Sequence, residues 1–186
     1  MNTAINILIV EDYKDYADLL VRELRREGFE PTWKRVETEP DYLAELKKLP
    51  DIILCDYSMP QFSGLRAAQL LQESGVEIPF ILISGTVGED VAVEAMKHGA
   101  TDFLLKDRIG RMGPAVRRAL REAEEHRESN RVEDARRASV ARYQALFDCA
   151  PDGIVIANPN GYYTDANPSI CRMLGYTHDE FIELHS

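Results

Sequence analysis

Four short apolar runs in this sequence each end in a side chain that can do chemistry. The runs AINILIV, DIILC, IPFILI and DFLL are followed by Glu11 with Asp12, by Asp56, by Ser84 and by Lys106, respectively. Such a run is typical of a strand buried on both faces of a parallel sheet. Because parallel strands share an edge at their carboxyl ends, where open α/β sheets place their ligands, these side chains are predicted to converge.

The three acids indicate what kind of site this is. Two unit charges about 4 Å apart interact by about 4 kcal/mol at an effective dielectric of about 20, so Glu11, Asp12 and Asp56 together favour a neutralising cation. Oxygen ligands with open positions suit Mg²⁺, which favours sites that also hold phosphate. A carboxylate beside such a cation can attack phosphorus, and Ser84 and Lys106 can then hold the new phosphoryl oxygens.

Each of these residues also has a purely structural interpretation. Asp56 would suit a simple strand end, Lys106 a solvated surface lysine, and Ser84 a turn before glycine. Glu11 and Asp12 would suit the start of the next helix, because acids favour helix N-termini. This interpretation weakens because all four features would have to coincide in the correct strand order.

Strand and helix signals alternate along the first two-thirds of the chain. The predicted strands cover residues 5–10, 31–36, 52–56, 80–83 and 102–105. The predicted helices cover residues 15–26, 41–49, 65–73 and 89–98. This alternation predicts an α/β fold, a doubly wound five-stranded parallel sheet.

A long helix is predicted after Pro114, because residues 115–147 contain no glycine or proline and are dominated by charge. A helix of about 30–35 residues would reach about 50 Å. Its stripe positions are Val116, Leu120 and Ala123 near the start and Val132, Ala135, Ser139 and Leu146 near the end. These two stripes do not share one heptad register. A coiled coil and a solvated helix held by pairs such as Glu133 with Arg137 are therefore about equally good interpretations.

A second pattern starts at Pro151. A short strand at residues 154–156 precedes the turn NPNG, and an extended stretch follows at Tyr162 and Tyr163. Two short helices are predicted at residues 169–174 and 178–184. About 40 residues of this kind bury too little surface for a self-sufficient core, so this domain is expected to be incomplete.

Charge and cysteine content exclude some classes of function. The net charge of −10 argues against a general affinity for nucleic acid. Cys55, Cys149 and Cys171 form no C-x-x-C pair and no zinc pattern, so we expect reduced thiols in a cytoplasmic protein. No apolar run approaches the roughly 20 residues needed to span a bilayer, and no membrane span is predicted.

Residues 5–122 resemble the receiver domain of bacterial response regulators. The motifs that carry this resemblance are Glu11-Asp12, the segment Asp56-Tyr57-Ser58-Met59-Pro60 with Gly64, Ser84, Phe103, and Lys106 within DFLLKD. The resemblance implies a flavodoxin-like sheet in the order 2-1-3-4-5. One departure is Gly85, where the family more often has alanine, and this is expected to alter access to the site or its lifetime without abolishing phosphoacceptance.

The resemblance also implies a role for each site residue. Asp56 is the phosphoacceptor and takes the group from a histidine kinase or a phosphotransfer protein. The implied Mg²⁺ ligands are Glu11, Asp12, Asp56 and the backbone carbonyl of Ser58. Lys106 and Ser84 stabilise the phosphorylated site, and Ser84 reorients together with the aromatic Phe103 to reshape the face around the fourth helix and fifth strand. A receiver of this kind is not an enzyme beyond its Mg²⁺-dependent self-phosphorylation and dephosphorylation.

The tail from Tyr143 resembles the first half of a PAS sensor domain. The matching features are the helix leading into APDG, the NPNG turn, Asn167-Pro168, and Gly175-Tyr176 before Asp179-Glu180. The later strands, which build the family's ligand pocket, are absent, so no cofactor residue is assigned there. In larger proteins of this architecture a kinase or a nucleotide-cyclising output often follows, but none of the four histidines lies in a sequence like a kinase phosphoacceptor helix.

Other enzyme and binding classes fit less well. A dehalogenase-type aspartyl nucleophile needs a second acid two residues on, where Ser58 stands. A P-loop lacks its G-x-x-x-x-G-K here, and a dinucleotide-binding fold would need glycines where Glu11 and Asp12 stand. Nothing after the receiver-like part reads as a helix-turn-helix, so no nucleic-acid partner is predicted.

We therefore predict a receiver domain at residues 1–122, a linker helix at 113–146 and a partial PAS domain at 147–186. The linker is predicted to mediate homodimerisation and to pass the phosphorylation state to a PAS-containing output, which would suit a parent protein such as a hybrid sensor histidine kinase. The serious rival is a phosphorylation-independent interaction module that uses the same fold.

Overall fold

The computed structural model describes residues 3–85 and 89–183. Contacts divide the chain into a first unit, Met1–Arg127, and a second unit, Glu128–Ser186. The predicted end of the last helix, Leu184, lies outside the described residues.

The first unit is built on a five-stranded parallel sheet in the order β2-β1-β3-β4-β5. The strands are β1 Thr3–Val10, β2 Phe29–Val36, β3 Ile52–Asp56, β4 Phe80–Ser84 and β5 Asp102–Leu105. The connecting helices are α1 Lys14–Arg26, α2 Glu39–Leu46, α3 Gly64–Ser74 and α4 Glu89–Lys97, and a 3₁₀ turn at Lys106–Arg111 leads into α5 Met112–Cys149. This confirms the predicted doubly wound fold and its strand order.

Each face of the sheet carries its own apolar cluster. The central strands β3 and β4 are buried over their whole length. Side chains alternate across a strand, so Ile53 joins the cluster that contains Leu82, while Leu54 joins the cluster that contains Ile81. The continuous apolar runs that predicted these strands therefore follow from burial on both faces.

The second helix begins earlier than predicted, covering Glu39–Leu46 rather than residues 41–49. The hydroxyl of Thr38 caps it by accepting a hydrogen bond from the Asp41 N–H at 3.3 Å. Pro40 lies in the first turn, where its missing N–H leaves no bond unmade. At the other end Leu49 has a φ of 53°, which is incompatible with a right-handed helix.

The last helix of the first unit, α5, continues into the second unit. In the second-unit part, Glu133 accepts hydrogen bonds from Arg136 and from Arg137 at 2.9 Å, and the latter is the pair that the sequence suggested. The predicted stripe residues Val132 and Leu146 are 61% and 68% exposed. The helix is therefore polar along its solvent-facing surface, with a few large apolar side chains among the charges.

The second unit adds a two-stranded antiparallel sheet and two short helices to the end of α5. These are β6 Val155–Ala157, β7 Tyr163–Ala166, α6 Pro168–Leu174 and α7 His178–Glu183. Asn167, which is fully buried, holds them together. Its Oδ1 accepts from the N–H groups of Ile154 and Ile170, and its Nδ2 donates to the carbonyls of Phe147 and Asp152. The Asn-Pro motif is therefore the polar centre of this unit.

None of the helices in residues 3–85 and 89–183 is both long and apolar enough to cross a bilayer.

Candidate functional site

Strand pairing brings the predicted site residues to one edge of the sheet. The strands β1, β3, β4 and β5 are consecutive parallel neighbours. Asp56 is the last residue of β3, Ser84 is the last of β4, and Glu11 directly follows β1. Ser84 pairs with Leu105, the residue before Lys106. All of these side chains therefore lie at the carboxyl edge, where ligands bind in open α/β sheets.

Three carboxylates meet at this edge. Glu11, Asp12 and Asp56 each have a carboxylate oxygen within 4.8 Å of the others. Glu11 and Asp56 are buried, and Asp12 is exposed. Water therefore screens the charges of Glu11 and Asp56 poorly, whereas Asp12 faces solvent.

Burial changes the acidity of Glu11. Loss of hydration raises the pKa of its carboxyl group to about 7, and the nearby charge of Asp56 also raises it. Two interactions oppose this change: the Tyr13 N–H donates to Glu11 Oε1 at 3.1 Å, and the Lys106 ammonium lies nearby. Because the carboxyl group of Glu11 is held out of water beside the Asp56 carboxylate, a bound cation would favour its charged form.

Lys106 brings a positive charge into the site. Its Nζ lies 3.0 Å from Asp56 Oδ2 and 3.4 Å from Glu11 Oε2. The same Nζ lies 4.3 Å from the centre of the Tyr16 ring, within the range of a cation–π contact. The lysine that the sequence placed after β5 is therefore part of the site rather than a solvated surface side chain.

The carboxylates fit a hard divalent cation. All three donors are oxygens, and within residues 3–85 and 89–183 the ammonium of Lys106 lies close to two of them. The exposed side of Asp12 leaves room for coordinated water, which Mg²⁺ characteristically retains. The donor set is thus of the kind that binds Mg²⁺ beside a phosphoryl group.

The loop after Asp56 is fixed beside the site. The Tyr57 N–H donates to the Ile83 carbonyl at 2.8 Å, and the Gly64 N–H donates to the Tyr57 carbonyl at 3.1 Å. Met59 and Phe62 are buried and anchor the loop in the core. Ser58, whose carbonyl was predicted to bind the metal, lies between these anchors and is exposed.

Ser84 and Phe103 lie on neighbouring strands. Ser84 is buried, with 1% of its surface exposed. Phe103, in β5, is half-buried and packs against the apolar cluster on one face of the sheet. The structure thus places the two predicted switch residues on adjacent strands, with Ser84 at the carboxyl edge and Phe103 inside β5.

Arg35 also belongs to the site, although none of the predicted motifs includes it. It lies near the end of β2, and its Nη1 donates to the backbone carbonyls of Glu11 at 2.8 Å and of Asp12 at 3.2 Å. The same atom binds Glu37 Oε2 at 2.9 Å. Arg35 thereby ties the β2 end to the turn that carries two of the carboxylates. The one available signal was a lone Arg at the end of an edge strand beside that turn.

Tyr16 is the second residue that sequence reasoning missed. It lies in the first turn of α1, and its ring packs against the apolar cluster that also contains Ile7 and Leu20. Its hydroxyl oxygen is buried, and among the described residues it has no hydrogen-bond partner. Loss of hydration raises the pKa of the phenol, with the charges of Glu11 and Asp56 adding to the effect, so the ring is neutral.

Two parts of the chain are similar to known families. Residues 7–112 match the family described as the response regulator receiver domain, and residues 141–185 match the family described as the PAS domain. The two matches agree with both resemblances that the motifs predicted.

Individual proteins show the same similarity. The regulatory protein LuxO of Vibrio vulnificus (strain YJ016) is 33% identical over 114 residues, which are 60% of this chain and 24% of LuxO. The chain therefore spans about a quarter of that relative's length. NtrX from Brucella abortus superposes with a TM-score of 0.62 at 28% identity, over 69% of this chain and 30% of NtrX. The receiver domain of the response regulator NarL from Mycobacterium tuberculosis superposes with a TM-score of 0.56 at 25% identity, over 66% of this chain and 98% of that domain.

Proposed function

The chain belongs to the response regulator receiver family, whose family model covers residues 7–112 of its 186 residues, and we propose that it accepts a phosphoryl group on Asp56. The observation that carries this proposal is the placement of the Asp56 carboxylate. It is buried at a strand end, 3.0 Å from the Lys106 ammonium and among the carboxylates of Glu11 and Asp12. The proposed donor is a histidine kinase or a phosphotransfer protein.

In the proposed step, an Asp56 oxygen forms a bond to phosphorus while the P–N bond to the donor histidine breaks and the imidazole keeps that electron pair. The Lys106 ammonium neutralises charge on the new acyl phosphate, and the Ser84 hydroxyl donates to a phosphoryl oxygen. The residues that would hold Mg²⁺ are Glu11, Asp12, Asp56 and the Ser58 carbonyl. When bound, this ion supplies charge neutralisation at the phosphoryl oxygens.

The proposed readout starts at the same edge. Phosphorylation adds a charge of about −1.5 to −2 to the site, and we propose that Ser84 and Phe103 reorient in response. The altered face around α4 and β5 would then signal through α5 to a PAS-containing output. We propose a cytoplasmic homodimer joined through α5, in a parent protein such as a hybrid sensor histidine kinase.

The proposed organisation of the chain follows the same scheme. It comprises a receiver domain at residues 1–122, a linker helix at 113–146 and a PAS segment at 147–186. The change from the first unit to the second after Arg127 and the PAS match at residues 141–185 support a division within α5.

The test is incubation with acetyl phosphate and Mg²⁺, read by intact mass. We expect one phosphoryl group per chain, dependent on Mg²⁺ and absent in Asp56→Asn. Asp107→Asn is the matched control, because it removes an exposed acid at the same edge and should leave the mass gain intact. A folded Asp56→Asn protein that gains mass like the parent chain would refute the assignment.

The same samples distinguish phosphoacceptance from the rival function. A folded parent chain that neither gains mass nor binds Mg²⁺ in a calorimetric titration would favour a phosphorylation-independent interaction module. Mg²⁺ binding without mass gain would instead indicate a strict requirement for the partner kinase, which a purified kinase domain would then test.

A further inference from the structure

The ring of Tyr16 is an uncharged group that borders the site beside Lys106. Among the described residues, Lys106 Nζ lies 3.0 Å from Asp56, 3.4 Å from Glu11 and 4.3 Å from the centre of the Tyr16 ring. The lysine side chain is 28% exposed, so the ammonium is only partly hydrated. A cation over an aromatic face gains more when it is partly desolvated.

The ring itself is held firmly. Tyr16 lies in the first turn of α1, and its N–H donates to the Tyr13 carbonyl at 3.1 Å. The ring packs against the apolar cluster that includes Ala17 and Leu20 from the same helix. Packing in the core therefore fixes the position of the ring next to the Lys106 ammonium, and the charges of the site do not.

The two carboxylate contacts of Lys106 do not persist unchanged through the proposed reaction. When Asp56 becomes an acyl phosphate, the oxygen that bonds to phosphorus loses its full charge. Glu11 is also one of the residues that would hold Mg²⁺. The contact with the ring depends on neither event, because the Tyr16 ring is neutral and takes no part in either.

We propose that Tyr16 is a positioning residue, whose ring keeps the Lys106 ammonium beside Asp56 before and after phosphoryl transfer. This role rests on the proposed phosphoacceptance. It belongs to the ring and not to the hydroxyl, whose oxygen is buried without a partner among the described residues. Tyr16→Phe therefore keeps the role, whereas Tyr16→Leu and Tyr16→Met remove it.

The first readout is independent of phosphorylation. A ring beneath the ammonium shifts the resonances of the Lys106 εCH₂ group upfield, and ¹H–¹³C spectra assigned with Lys106→Arg can measure this shift. We expect the upfield shift in the parent chain and in Tyr16→Phe, and its loss in Tyr16→Leu. A normal lysine shift in the parent chain would overturn the proposed contact.

The second readout is the rate of Asp56 phosphorylation by acetyl phosphate. We expect Tyr16→Leu to lower it by about 2- to 30-fold, which is a cation–π contribution of about 0.5–2 kcal/mol converted at about 1.36 kcal/mol per tenfold, and Tyr16→Phe to stay within about twofold of the parent chain. Tyr16→Met repeats the test with a flexible apolar side chain if the leucine variant does not fold.

A double-mutant cycle separates positioning from a general structural effect. In a Lys106→Ala background, Tyr16→Leu should have no further effect on the rate, because the group it positions is gone. An equal loss in both backgrounds, or an unchanged rate in folded Tyr16→Leu, would overturn the role. A parent chain that shows the upfield shift but takes no phosphoryl group from acetyl phosphate or from a purified kinase domain would refute the proposed function, and the positioning role with it, while leaving the ring contact established.

Discussion

At the scale of single residues, the site depends on side chains that hold its acids as well as on the acids themselves. Arg35 is the clearest example, since one nitrogen donates to the carbonyls of both Glu11 and Asp12. When these two carbonyl groups are held in place, the backbone that orients the Glu11 and Asp12 side chains is held in place as well. Outer groups of this kind commonly tune the affinity of a metal site.

Arg35→Ala is therefore expected to weaken Mg²⁺ binding by about tenfold, at the lower end of what outer partners contribute. Lys34→Ala is the matched control, because it removes the same charge from the adjacent, exposed position of β2. Titration calorimetry of the parent chain and both variants measures the effect. Equal affinities for Arg35→Ala and Lys34→Ala would show that the three hydrogen bonds do not support the site.

His178 is expected to make the stability of the second unit depend on pH. Its Nε2 lies 3.0 Å from Asp165 Oδ1 and its Nδ1 lies 3.3 Å from Asp179 Oδ1. These hydrogen bonds, the one to Asp165 first, raise the pKa of His178 above its ordinary value. A group whose pKa is higher in the folded state contributes stability below its unfolded pKa and loses that contribution as pH rises through the folded value.

We accordingly expect residues in β7 and α7 to open more readily at pH 8 than at pH 6. Hydrogen exchange of the full chain, corrected for the intrinsic pH dependence of amide exchange, measures this difference. Asp165→Asn should reduce it and should lower the pKa of His178 in an NMR titration. An unchanged pH dependence in that variant would assign the effect to another group.

At the scale of elements, the junction between β3 and α3 explains how the acceptor loop is closed. Gly64 is the first residue of α3 and is packed against the end of β3. A Cβ there would lie 2.5 Å from the Asp56 carbonyl oxygen and 2.6 Å from Leu82 Cδ1. A glycine is therefore needed at position 64 because the helix approaches the strand closely there, and not because the backbone has a positive φ.

Gly64→Ala is expected to destabilise the first unit by about 1–3 kcal/mol, because the methyl group overpacks a closed junction. Gly85→Ala is the control, since among the described residues a Cβ there meets only Lys106 Cδ, at 3.9 Å, and should change stability by no more than about 0.5 kcal/mol. Urea unfolding measures both. If both variants unfold at the same urea concentration, the junction has room that the structure does not show.

At the same scale, the sequence was most reliable where burial is strongest. The bounds of β3 agree with prediction, because a short run buried on both faces has a clear pattern. The bounds of β5 agree as well, although its four residues are only partly buried. α2 was misplaced by two to three residues, because its start is set by the Thr38 cap and its end by the unusual φ of Leu49. Local turn geometry of this kind leaves only a weak trace in composition.

At the scale of the whole molecule, the question is what the exposed apolar side chains of α5 do. Val132 and Leu146 lie two heptads apart and are both largely exposed. A homodimer through this stripe would bury them against the same residues of a second copy. Such an arrangement would link two receivers to two outputs.

We expect equilibrium sedimentation to show a dimer at tens of micromolar, with or without a phosphoryl analogue. Val132→Glu with Leu146→Glu should give a monomer, because each dimer would then bury facing charges. Ala141→Glu, on a different face of the same helix, is the control and should remain dimeric. A monomeric parent chain would refute the dimer.

We also expect a chain ending at residue 139 to keep a folded receiver. The sheet, its helices and both apolar clusters lie within the first unit, whose last residue is Arg127. Thermal unfolding should stay cooperative, and acetyl phosphate should still label Asp56. Loss of the cooperative transition would move the proposed boundary towards the C-terminus.

The pattern of residues along the chain was enough to predict the succession of strands and helices, the edge at which ligands bind and the acids that gather there. This was possible because burial makes apolar residues recur at a spacing that differs between helices and strands. In addition, parallel strands bring their carboxyl ends together at one edge of the sheet. The packing of the elements was needed to show that Arg35 and Tyr16 also belong to the site. Arg35 reaches the backbone of Glu11 across 24 positions, and the ring of Tyr16 in α1 meets the ammonium of Lys106 after β5. Contacts between residues so far apart depend on how elements pack, and one sequence carries no local pattern that records them.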